Sequence, residues 1–117
     1  AIARRDDKPF DQEHDRRDPW WGDPSFRVIP LGTTERDVRI YHLHIDPRFG
    51  EADLDVLLPM RRLTELAQAG SVGRPARNHY SIMGYILEPT VLVEETAPAI
   101  AEAMRRDGVD AAALVPA

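Results

Sequence analysis

The sequence predicts an α/β fold: a layered sheet, at least partly parallel, with two main helices and a long irregular N-terminal segment. Three observations lead there. Short β-branched or apolar runs alternate with amphipathic stretches of helical period. Two glycines, Gly70 and Gly108, stand where helices should stop. The run after Gly108, residues 109–115, is apolar apart from Asp110 and reads as a buried strand.

Composition sets the outer limits. A chain of 117 residues, 43% apolar and 30% charged, is the size and make-up of one ordinary globular domain. Its formal charge of -5 argues against a general nucleic-acid binder, and the arginines are dispersed in pairs such as Arg4-Arg5 and Arg61-Arg62. No apolar run approaches the ~20 residues of a membrane span, and no secretory segment is visible, so the cytoplasm is the expected location. The absence of cysteine excludes disulfides, thiolate metal sites and a Cys nucleophile within these residues.

Residues 1–25 are charged and broken by Pro9, Pro19 and Pro24, which prevents long helix. Phe10, Trp20 and Trp21 are costly to leave in water, so this extended segment should lie over a surface and hold on by its aromatics. A single α/β domain, part of a larger domain or assembly, is expected over residues 26–117. Phe26-Arg27-Val28-Ile29 forms its first strand, stopped by Pro30, and residues 38–45 form a second, ended by Asp46-Pro47. Residues 48–58 read as loop with room for a short turn.

Pro59 opens a helix whose stripe is Met60, Leu63, Leu66 and Ala67, closed by Gly70. A short strand is expected around Ile82-Met83, interrupted by Gly84 and stopped before Pro89. The second helix has the stripe Ala97, Ile100, Ala101 and Met104, with Glu94 and Glu95 at its positive end and Arg105-Arg106 at its negative end. Thr96 suits its N-cap, which puts Pro98 in the first turn; a start near Thr90 would instead put Pro98 inside the helix.

Two polar groups could carry chemistry. His42, His44 and Asp46 alternate along one strand and so share a face; with His79 they could ligate a divalent metal, the alternative reading for a cofactor. The stretch from Arg77 through Asn78, His79, Tyr80 and Ser81 to Tyr85 is the densest set of side-chain donors. It could hold a small carboxylate or other anion, or it could serve buried backbone groups at a strand entry. No P-loop or nucleophile elbow is present.

Three ordered motifs carry a family resemblance over residues 26–117. They are Leu57-Leu58-Pro59-Met60-Arg61-Arg62-Leu63-Thr64-Glu65-Leu66-Ala67 with Gly70-Ser71-Val72-Gly73, then His79-Tyr80-Ser81-Ile82-Met83-Gly84, then the run from Arg105-Arg106-Asp107-Gly108 to Pro116. This pattern resembles the selenoprotein B family of glycine, sarcosine, betaine and D-proline reductases and its shorter selenium-free relatives. The resemblance implies reductive cleavage of a substrate C–N bond at a selenocysteine or cysteine just after the last strand, with electrons from a thioredoxin-like donor. Residues 1–117 supply neither, so the nucleophile is expected outside them.

The expected function is therefore that of a reductase subunit or fragment binding a small substrate with a carboxylate or amine. His79, Tyr80 and His42 are the candidate catalytic residues, and Arg77, Ser81 and His44 the candidate substrate-binding ones. The apolar C-terminal strand wants covering, so another protein chain or a homo-oligomer is expected; the competing role is a non-catalytic partner docking through that strand.

Overall fold

In the computed structural model, which describes residues 1–10, 22–41 and 45–116, the longest-range pairing joins β2 (Phe26–Pro30) to β4 (Asn78–Ile82). The two run antiparallel, with Ile29 opposite His79 and Arg27 opposite Ser81. β2 keeps Pro30 as its last residue, where the sequence suggested a stop. The register explains this. The Leu31 N–H donates to the Arg77 carbonyl at 2.8 Å, so bonded pairs fall at odd positions of β2 and the missing donor of Pro30 points away from β4.

A second antiparallel pair joins β1 (Ile2–Arg4) to β3 (Val38–Ile40), with Ile2 opposite Ile40. β1 lies in the segment expected to be irregular. Its consecutive side chains enter two different cores, because a strand alternates faces. Ile2 packs with Ile29, Val38, Leu54 and Met60, and Ala3 packs with Phe10 and Met83. The Ile2 N–H, on the edge turned away from β3, donates to Ser81 Oγ at 2.7 Å and so ties the two sheets together.

Phe10 is buried, as expected of an aromatic anchor, and Arg27 lies over its ring at 4.2 Å. Arg27 also donates from Nε to the Lys8 carbonyl and from Nη2 to the Pro9 carbonyl, at 2.7 and 3.0 Å, with Asp23 at 3.6 Å. The N-terminal segment is thus held by a mostly buried guanidinium as well as by apolar contact. Trp20 and Trp21 lie outside the described residues.

Residues 48–58, expected as loop with room for a short turn, hold a short helix, α1 (Arg48–Ala52), and then a 3-10 turn (Leu54–Val56), buried through Gly50 and Leu54. α2 (Met60–Gln68) starts after Pro59 as the sequence indicates. Its end is a Schellman motif: Ser71 N bonds Leu66 O and Gly70 N bonds Ala67 O, with Gly70 at φ 72°. Arg61 stays exposed while it reaches Asp55 at 2.8 Å, Asp53, and Glu35 at 3.5 Å, joining α2 to the turn Glu35–Asp37.

α3 (Ala97–Arg106) continues a helical run that begins at residue 90 and passes through a π-helical turn, Leu92–Thr96. Thr96 is therefore not an N-cap. It has helical φ and ψ, is buried, and donates from Oγ1 to the Pro24 carbonyl at 2.7 Å. The π turn has a local cause. Pro98 cannot donate to Glu94, and the Ala97 N–H reaches one residue further back to Leu92 O. A second Schellman motif closes α3, with Gly108 N to Arg105 O, Val109 N to Met104 O, and Gly108 at φ 70°.

The strand expected over residues 109–115 does not form: these residues are irregular, and Leu114 is 94% exposed. Among the described residues both strand pairs are antiparallel, so the fold is a mixed α/β arrangement without a parallel pair. The reason is physical. A parallel edge strand needs cover on both faces, and α3 itself has no buried residue.

Candidate functional site

β4 carries the densest polar group, and its alternation divides that group between two faces. His79 and Ser81 share the face of Ile29 and Arg27, their partners on β2. Asn78 and Tyr80 project from the other side. The strand thus separates His79 from Tyr80, which the sequence placed together as candidate catalytic residues.

On the first face, His79 is half-buried and its Nε2 atom is fully enclosed, with no hydrogen-bond partner among the described residues. Burial holds its pKa below the ordinary value of 6.5, so the imidazole is neutral at physiological pH. Ser81 Oγ accepts the Ile2 N–H and keeps its own O–H free to donate. A neutral imidazole on the same strand face as a hydroxyl has the chemistry to exchange a proton once its enclosed nitrogen is reached.

On the second face, Tyr80 packs on Phe26 with ring centroids 5.9 Å apart. Desolvation and then the Asp107 carboxylate raise its phenol pKa, keeping it a neutral hydrogen-bond donor. Asn78 Nδ2 donates to Asp107 Oδ2 at 3.2 Å, which brings the end of α3 to the start of β4. Tyr80 is thus engaged with α3.

The other predicted residues scatter. Arg77 is exposed, just before β4, with its carbonyl used by Leu31. His42 and His44 lie outside the described residues. Asp46 is gripped by Arg48, whose Nε lies 3.0 and 2.9 Å from its two oxygens and Nη2 2.6 Å from Oδ2; these bonds lower its pKa. Among the described residues no group of three metal-ligating side chains converges.

Sequence reading also missed an open groove of about 500 Å³ lined by Arg4, Arg5, Arg36 and Thr33 together with Asp6 and Asp37. Arg5 Nε donates to the Arg36 carbonyl at 2.7 Å. Only the β1–β3 pairing brings Arg4-Arg5 to Arg36, and no linear pattern announces it.

No family model matches this chain, and no solved structure matches it. It is 32% identical over 100 residues to the D-proline reductase subunit gamma of Acetoanaerobium sticklandii, a match that covers 86% of this chain. The chain spans about 41% of the length of that curated relative. By sequence, then, this chain is related to a subunit of a reductase.

Proposed function

We propose that this chain is a subunit or fragment of a reductase of the selenoprotein B type, which binds a small substrate bearing a carboxylate or an amine. The observation that carries the reading is the 32% identity to a D-proline reductase subunit across 86% of the chain. Since residues 1–117 hold no cysteine, the reading places the thiol or selenol outside them. The reaction is a two-electron reductive cleavage of a C–N bond. A dithiol donor of thioredoxin type is oxidised to its disulfide, and its two electrons and two protons end on the separated carbon and nitrogen. Another protein chain belongs to the reading, because the relative is by its name a subunit.

Within this reading the substrate contacts the His79 face of β4. The neutral imidazole handles a proton of the amine, the Ser81 hydroxyl donates to a substrate oxygen, and Arg77 offsets a carboxylate. Tyr80, on the other face, supports the strand. Turnover in the complete assembly tests this. His79→Ala should lower kcat/KM by about 10²-fold or more, and Tyr80→Phe should leave it within about threefold. Unchanged turnover in His79→Ala would remove His79 from the site.

A further inference from the structure

Where β1 ends against the turn that follows β2, the arginine groove gathers cations that the fold leaves unmatched. Its volume of about 500 Å³ is of the order that takes a small molecule. Two bonds set one of its arginines against another. The Arg5 N–H extends the β1–β3 ladder by one residue, to the Asp37 carbonyl at 2.8 Å. Arg5 Nε then donates to the preceding carbonyl, that of Arg36, at 2.7 Å. A guanidinium is a rigid planar fork, so fixing Nε fixes the plane in which both Nη groups lie.

The charges lining the groove do not cancel. Arg4 is taken up by Asp6, through Nη2 and Oδ2. Asp37 serves the turn, its Oδ2 accepting the Thr34 N–H and hydroxyl at 2.8 and 2.7 Å. Among the described residues neither Arg5 nor Arg36 has an ion-pair partner. The Arg5 Nη groups and the whole Arg36 guanidinium stay unbonded there. Two exposed cations therefore line one concave surface, in a chain whose formal charge is -5. A cleft that concentrates one sign of charge draws in small ions of the other.

The opposite wall leaves room. Thr33 N bonds Pro30 O at 3.1 Å to close a turn with Gly32 at φ 91°, and nothing lies within 4 Å of where a Gly32 Cβ would stand. Leu31, 39% exposed, adds apolar surface to the same wall.

We propose that this groove binds phosphate, free or as a small monoester, with the Arg5 and Arg36 guanidiniums on the oxygens of one phosphoryl group. Guanidinium forks match phosphate oxygens, and a group of nearly two negative charges offsets both arginines, where a single carboxylate would offset one. The groove shares no lining residue with the His79 face, so the inference does not depend on the reductase reading.

Titration of the chain followed by amide NMR tests it, with sodium phosphate, glycerol phosphate and, at matched ionic strength, sodium chloride. Both phosphates should shift the Arg5, Gly32 and Arg36 amides saturably, with a Kd of about 1 mM or tighter, and chloride should not. Arg5→Gln and Arg36→Gln, both at exposed side chains, should each weaken binding about tenfold or more while the Ile29 and His79 amides keep their native positions. Tighter binding of glycerol phosphate would assign the site to an ester and equal binding to free phosphate; either supports the proposal. Shifts that fail to saturate, an equal response to chloride, or unchanged affinity in both variants would overturn it.

Discussion

The two ends of the described chain meet opposite fates. At one end, Ile2 and Ala3 are 5% and 0% exposed, each on its own side of β1 and each in its own core. At the other, α3 buries no residue and Leu114 stands 94% exposed. Hydropathy does not explain the difference, since Leu114 is more apolar than Ala3. Cover does: β1 has β3 on one edge, the Ser81 hydroxyl on the other and packed side chains on both faces. Among the described residues, 110–116 have none of these. Burial in this molecule follows position between layers more than the residue's own character.

The largest effect that can break this comparison comes from the core around β1. Ile29 is fully enclosed and opposite His79, so Ile29→Ala should cost about 2–5 kcal/mol through lost contact and a residual cavity. Leu114→Ala, a similar truncation at an exposed position, should stay within about 0.5 kcal/mol. Denaturant unfolding of the two variants measures both, and similar losses would show that the ends are not as different as their packing.

A smaller effect should come from pH. The folded-state pKa of His79 is lowered by burial, so the unfolded chain binds this proton more readily than the folded one. The contribution is fully present above the unfolded value near 6.5 and is lost as pH falls through it toward the folded value. Stability should therefore decline on acidification from neutrality, and His79→Phe should flatten that part of the profile. An identical slope in the variant would assign the decline to other groups.

What the sequence made legible was local. Pro59 before α2, and Gly70 and Gly108 after α2 and α3, act within one turn, and each stands where it was expected. Pro98 likewise announced trouble for a helix starting near residue 90, and the π turn is how the backbone accommodates it. β1 was not legible, because three residues carry no period and their burial depends on partners about 36 and 80 positions away. The same holds for Arg27, whose carbonyl partners lie 19 and 18 residues upstream. At the candidate site, the polar cluster was visible but its division was not. Starting the strand at Asn78 and not near Ile82 decides that His79 and Tyr80 sit on opposite faces.

The contrast between the two ends is tested most directly by native-state hydrogen exchange of the unmodified chain. Amides bonded within the β1–β3 pair, Ala3 and Arg39 among them, should open only with global unfolding and form the slowest class. Those at the end of α3, including Asp107 and Val109, should open locally and exchange about 10²-fold faster or more after correction for intrinsic rates. If the α3 amides proved as slow as those of β1, the two ends would belong to one cooperative unit, and the account of a covered N-terminal core beside an uncovered C-terminal helix would be contradicted.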